Sequence, residues 1–401
     1  MRAPQTLTPT GVRCLASRAR AAMAAQPQPA PTQSSSPLAA LLGRLGSFRQ
    51  VGASSLPPNV NTGAACASTR PPRHLFVCVH GLAGRPEDLS ALREALMRVR
   101  KGGEALPLVH LATANAHNRF ATYDGIPAGA QRLAQEIRLL VAQQPSLTHL
   151  TLVGNSLGGL YARYAAALLY SEDGRIAGLE PVTFLTTATP HLGVGQHSHL
   201  ALIPQPLQVV GSKVLGASIK ELLLQDGDAR NGREPLLLRM ASERTSADQR
   251  SLPFLESLRA FKSRHVYANA VNDFLVAYET AAFMPEGAAE RVGQLAGGAP
   301  RVLYTRQREP TTQVVPPAGG TPAAMQRRMA LGLGSMRWSE TAVHFPGFLP
   351  LAHNRIVALR RDPILTWLNA CGAEVVEHTA QALLAQLQDE EEGTVSAGMN
   401  S

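Results

Sequence analysis

The chain reads as an α/β protein built on a mostly parallel sheet with helices on both faces. Short, uniformly apolar runs alternate with longer stretches whose apolar residues recur at helical spacing. The runs lack the polar–apolar alternation of a sheet that meets water on one side, as strands covered on both faces do. In addition, Gly154-Asn155-Ser156-Leu157-Gly158 falls where one run passes into one helical stretch. With 401 residues and 45% hydrophobic content, one large domain with appendages is expected.

Residues 1–72 are rich in Ala, Ser, Pro, Gln and Arg, and no acid precedes Glu87. That composition predicts an organelle transit peptide and a disordered linker. Chloroplast is the expected destination, with mitochondrion or cytoplasm as the alternatives. The net charge of +9 is concentrated there, because residues 1–73 hold eight Arg and no Lys. The remaining 30 basic residues face all 29 acids, so the folded part is close to neutral. A nucleic-acid partner, which needs a basic surface on the folded domain, is not expected. No apolar run is long enough for a membrane span of about 18 residues or more. Cys14, Cys66, Cys78 and Cys371 are scattered, without zinc-like or disulfide-framework spacing, and suit a reducing compartment.

The folded domain is expected over 73–388. Its first strand is Leu75–Val79, followed by a helix opened by Pro86, Glu87 and Asp88 and carrying Leu89, Leu92, Leu96 and Val99 on one side. A second strand over Leu106–Leu111 leads to a helix with Leu133, Ile137, Leu140 and Val141 on its apolar face. The third strand, His149–Val153, enters the Gly/Ser turn, and a small-residue helix follows with Leu160, Tyr164 and Leu168. Strands are also expected at Val182–Thr186 and Val266–Val271, with weaker signals at Arg301–Tyr304 and Thr341–Phe345. Between them, about 192–262 occupies the place of a lid, and Gly- and Pro-rich 283–335 reads as a surface insertion. Asp362-Pro363 supplies an N-cap and a first-turn proline for a C-terminal helix that breaks near Gly372 and resumes to about Leu387. Residues 389–401 read as an acidic, disordered tail.

The turn at Gly154–Gly158 matches G-x-S-x-G, and its context, a buried strand leading in and a helix leading out, is that of a nucleophile elbow. Flanking glycines relieve the crowding of the turn, and the helix N-terminus favours developing negative charge on Ser156. The backbone N–H of Leu157 would then be one oxyanion donor. The second is expected from the loop after the first strand, His80-Gly81-Leu82, and is assigned to Leu82. His80 precedes the nucleophile and reads as a structural hydrogen-bonder.

Taken with Val79-His80-Gly81-Leu82, the elbow, Ala188-Thr189-Pro190-His191-Leu192-Gly193, Tyr267-Ala268-Asn269, Asn272-Asp273 and His353-Asn354, the chain resembles the serine-esterase family of eukaryotic α/β hydrolases. Those are lipase-like proteins of plants, algae and yeasts. The resemblance implies an α/β-hydrolase fold and a Ser-His-Asp triad acting without a metal or other cofactor. Asp273 matches the family's Asn-Asp position and follows an apolar strand, whereas Asp226, Asp228 and Asp248 lie in polar loop sequence. For the base, His353 follows a Pro/Gly loop, while His344 alternates within a strand and is the second candidate. The order Ser156, Asp273, His353 is that of α/β hydrolases. His191, His197 and His199 have no acid nearby and are not expected to hold a metal; His191 is expected to shape the floor of the pocket.

The expected activity is hydrolysis of carboxylic esters, with acyl lipids as substrates and contact with a membrane or lipid surface as a further expectation. A thioesterase or acyltransferase using the same triad is one alternative, and a catalytically silent scaffold is another. Leu222 and Leu223 end a dense apolar segment from Leu200, expected either to wall an acyl-binding site or to form a core helix.

Overall fold

The computed structural model describes residues 71–98, 107–116, 120–194, 216–244, 251–284, 287–295, 297–313, 320–347 and 351–398. The expected leader over 1–72 therefore lies outside them save for Pro71 and Pro72, as do Leu200–Leu215 of the apolar segment.

Seven strands form one sheet: β1 (His74–Val79), β2 (Leu108–Leu111), β3 (His149–Asn155), β4 (Glu180–Thr187), β5 (Ser263–Asn269), β6 (Arg301–Arg308) and β7 (Trp338–His344). Their order is β2-β1-β3-β4-β5-β7-β6. All neighbours are parallel except β6, which closes the edge antiparallel to β7. This is an α/β-hydrolase sheet, and helices cover both of its faces. Along β1, Leu75, Val77 and Val79 enter the core on one side with the helices α1 (Ile126–Gln143) and α2 (Leu157–Leu169). Phe76 and Cys78 enter the other with Leu92 and Leu96 of the helix Ser90–Arg98 and Val375 and Leu383 of the C-terminal helix. Successive strand side chains point to opposite faces, so uniformly apolar strands feed two cores at once. Burial pushes the Cys78 thiol up to about 12, and both Cys78 and Cys371 are unpaired thiols.

The stretch 283–335 departs from a surface loop. It contributes β6 and the helix Pro322–Leu333, which buries Met329 and Leu333 in the main core. The strand signal was weak because β6 is an edge: its eight residues include three arginines and alternate poorly, as charged edge strands do. Arg306 and Arg308 reach Glu340, a fully buried carboxylate on β7 that also accepts the Tyr304 and Tyr278 hydroxyls. The described parts of the lid region likewise enter the core, through Leu236, Leu237, Met240, Leu255 and Leu258.

At the C-terminus the Asp362 side chain accepts the Leu365 N–H at 2.9 Å, and Pro363 opens the helix. A 3-10 turn at Ala370–Gly372 separates it from a helix spanning Ala373–Gly398. That helix continues through the acidic run read from sequence as a tail, in keeping with the high helix propensity of Glu, Gln and Ala. No described helix is long and apolar enough to cross a membrane.

Candidate active site

Strands β1, β3 and β5 end on the same edge of the sheet, and the loops leaving them meet there. Ser156 stands between β3 and α2 with φ 54° and ψ −129°, a conformation L-residues avoid and a nucleophile elbow enforces. The turn is held because Ser156 N–H donates to Thr187 O at 2.9 Å, and the Thr187 hydroxyl donates to Asn155 Oδ1 at 2.9 Å. A Cβ on Gly158 would fall 2.2 Å from Val79 O, so only glycine lets α2 press this closely on β1. Gly81 is needed for a different reason: a Cβ there would lie 2.7 Å from Ser156 Cβ and 3.2 Å from its Oγ. The loop after β1 thus passes directly over the serine.

His353 Nε2 is 3.0 Å from Ser156 Oγ, and its Nδ1 is 3.0 Å from Asp273 Oδ2. The imidazole is nearly buried and the Asp273 carboxylate is 1% exposed. Four donors converge on that carboxylate. His353 Nδ1 and Asn269 Nδ2 (2.7 Å) reach Oδ2, and the Leu275 and Val276 amides reach Oδ1 at 3.1 and 2.9 Å. This set fixes the carboxylate in place and turns Oδ2 toward the imidazole. A bridge pairs Asp273 with Leu351, and Asn272 Nδ2 donates to Phe345 O and Gly347 O at 2.9 and 2.7 Å. Asn272 has φ 63°, which Asn tolerates better than most side chains. The Asn272-Asp273 pair therefore fixes both the carboxylate and the loop that carries His353.

The amides of Leu82 and Leu157 form no hydrogen bond among the described residues. Leu157 opens α2 directly after Ser156, and Leu82 follows Gly81. The Leu82 loop is braced from two sides that sequence reasoning did not reveal. Ala83 N–H donates to the Thr122 hydroxyl at 2.9 Å, and Thr122 O accepts the Tyr161 hydroxyl of α2 at 2.9 Å. Opposite, Arg361 grips Asp88 with Nε at 2.8 Å and Nη2 at 2.6 Å, and also reaches Ala83 O at 3.3 Å.

The other candidates fall elsewhere. His344 ends β7, paired with Arg301 of the edge strand, and burial holds its pKa below the ordinary value. His80 is buried, with Nδ1 3.0 Å from Gly81 O. Asp226 accepts the Leu236 amide at 2.8 Å, Asp228 closes an exposed turn with Asn231, and Asp248 lies outside the described residues. His191 is fully buried: Nε2 meets the Thr186 hydroxyl at 3.0 Å, and Nδ1 accepts Arg163 Nη1 at 3.2 Å. Burial holds its pKa well below the ordinary value, with the Arg163 cation adding to the effect. Both His191 nitrogens are engaged, and it packs edge-on against Phe283 and Trp338, so it braces the core around the β4 loop. His197 and His199 lie outside the described residues. Leu222 is 6% exposed and belongs to the main core, and Leu223 packs against it. Packing accounts for both, which departs from their expected place in a substrate wall.

One family's sequence profile, described as "Putative serine esterase (DUF676)", matches residues 69–285, just over half of the chain. The chain belongs to this serine-esterase family. The match includes Ser156 and Asp273 and ends before His353, whose position is given by the geometry above. Two yeast proteins are similar to it. "Putative lipase C4A8.10" of Schizosaccharomyces pombe is 28% identical over 52% of this chain and 26% of its own length. "Putative lipase ROG1" of Saccharomyces cerevisiae is 31% identical over 53% of this chain and 29% of its own. The chain spans less than a third of the length of these curated relatives. Among solved structures, mature Bacillus licheniformis lipase BlEst2 is 18% identical over 51% of this chain and 70% of that one, at a TM-score of 0.29. The RedJ thioesterase of Streptomyces coelicolor is 20% identical over 60% and 85%, at 0.27.

Proposed function

We propose that this serine-esterase family member hydrolyses carboxylic esters of acyl lipids, with Ser156 as nucleophile, His353 as general base and acid, and Asp273 as its orienting carboxylate. The observation that carries this reading is the line of 3.0 Å contacts from Ser156 Oγ through the imidazole to Asp273, set on a strained elbow. As Ser156 Oγ attacks the ester carbonyl carbon, His353 Nε2 takes its proton and Asp273 stabilises the imidazolium through Nδ1–H. The tetrahedral oxyanion accepts the Leu82 and Leu157 amides. His353 then gives its proton to the departing alcohol oxygen, leaving an acyl-enzyme. Water attacks that ester with His353 again as base, and collapse releases the fatty acid and restores Ser156. Every step moves protons and electron pairs within the chain, the substrate and water.

The substrate class is tested with esters of one alcohol and acyl chains of increasing length, using Ser156→Ala as the blank. Each buried methylene adds about 0.8 kcal/mol, so kcat/KM should rise steeply from acetyl toward octanoyl. Equal turnover of acetyl and octanoyl esters would contradict a lipid substrate and indicate a small-ester hydrolase.

A further inference from the structure

The parallel strands place Ser156 and Asp273 at their C-terminal ends, and a separate cavity of about 200 Å³ opens at the opposite edge. Its walls come from the first residues of β5 and β7, the end of β6 and the C-terminal helix. At about 3.3 Å per residue, β5 separates it from the candidate active site by about 20 Å.

The lining has a marked bias of charge. It includes Lys262, Arg264, Arg337, His265, Gln307 and Gln386, and no carboxylate. Two of the cations are held from outside: Lys262 Nζ by Glu180 at 2.6 Å, and Arg337 Nη2 by Glu309 at 2.8 Å. Arg264 differs. Its Nε donates to Arg337 O at 2.9 Å and its Nη1 to the carbonyls of Leu258, Arg259 and Phe261, and no described carboxylate pairs with it. Burial, with the Arg259 and Arg337 cations nearby, lowers its pKa from the usual guanidinium value. Beside it His265 is 8% exposed, and its buried Nε2 has no hydrogen-bond partner. The half-buried Arg264 guanidinium shares the cavity with two further cations and no lining carboxylate, a setting that favours an anion in the space.

We infer that this cavity binds a small phosphate-bearing anion, held by Arg264, Arg337 and Lys262, with the Gln307 and Gln386 amides as further donors. A tetrahedral oxyanion offers acceptors in several directions at once, which matches donors arriving from three strands and a helix. The volume is below the range of about 300–1,000 Å³ typical of drug-sized ligands, so free phosphate or a phosphate monoester of a few carbons fits. The proposal is independent of the chemistry at Ser156.

Calorimetric titration of the full-length protein with inorganic phosphate, at ionic strength held constant with chloride, tests it. A single saturable site is expected. Two variants probe the cavity without touching the hydrolytic machinery: Lys262→Gln combined with Arg337→Gln, and Gln386→Glu, which adds a carboxylate at the rim. Each should weaken phosphate binding by about tenfold or more, since hydrogen bonds to charged groups carry this interaction, while ester turnover stays unchanged. Saturable binding unaltered in both variants, or none in the parent protein, would overturn the site. Vesicles containing phosphatidic acid form the second arm. No sedimentation with them is expected, and sedimentation lost in the same variants would overturn the free anion in favour of a lipid headgroup.

Discussion

Asn269 donates to Oδ2 of Asp273, the same oxygen that meets His353, and so spends one amide donor on the carboxylate. Asn269→Ala should leave the fold intact and lower kcat by about tenfold, the size of one charge-assisted hydrogen bond, with KM little changed. An unchanged kcat would show that the backbone amides of Leu275 and Val276 suffice. Gly81→Ala tests the other side of the site. The added methyl would crowd Ser156 Cβ and Oγ, and kcat/KM should fall by about 100-fold or more, as on loss of oxyanion donors, while far-ultraviolet circular dichroism is retained. Ser156, Asp273 and His353, which the structure brings into one line, are the residues that motif, strand context and chain order single out. Their supports were not legible. Thr122 and Arg361 act on a loop 39 and 278 residues away in sequence, and contacts at such separations leave no local pattern. For Leu222 the sequence leaves two readings open, because apolar helical spacing describes a core helix and a lipid wall equally well.

The helix Ala217–Leu222 shows how an element of the expected lid is fastened down. Ser218 Oγ donates to Thr122 O at 2.8 Å and accepts Gly125 N–H at 3.0 Å, while Glu221 accepts the first amide of α1 at 2.6 Å. Burial raises the Glu221 carboxyl from its ordinary 4.5 to about 7, outweighing that hydrogen bond. The folded protein therefore keeps a proton that the unfolded chain releases. Glu221's contribution to stability is full below about pH 4.5 and is lost as pH rises to about 7, a change of up to about 3 kcal/mol. Glu221→Gln should flatten this dependence and raise the melting temperature at pH 8 relative to the parent. A parallel pH–stability curve for the two proteins would contradict it. At this scale the doubly buried strands β1, β3 and β4 are readable as apolar runs, with ends displaced by at most two residues. The edge strand β6 was only partly readable, since one ladder partner and several arginines produce little hydrophobic signal.

For the whole molecule, the two proposed sites fall at opposite ends of the strands, ester hydrolysis at the C-terminal ends and anion binding at the start of β5 and β7. Residues 1–72 add a third expectation, because their Arg-rich, acid-free composition should direct a fused fluorescent protein to the chloroplast; a diffuse cytosolic signal would count against import. The central claim concerns Ser156 itself. A hydroxyl with a base 3.0 Å away and two uncommitted amides nearby should be nucleophilic even toward a simple phosphonylating reagent. The most direct measurement is labelling of the folded protein with a fluorophosphonate probe, read by intact mass and peptide mapping. One adduct on Ser156 is expected, absent from Ser156→Ala and strongly slowed in His353→Ala. No labelling of the folded protein, or labelling that persists in Ser156→Ala, would contradict the assignment of Ser156 as the nucleophile.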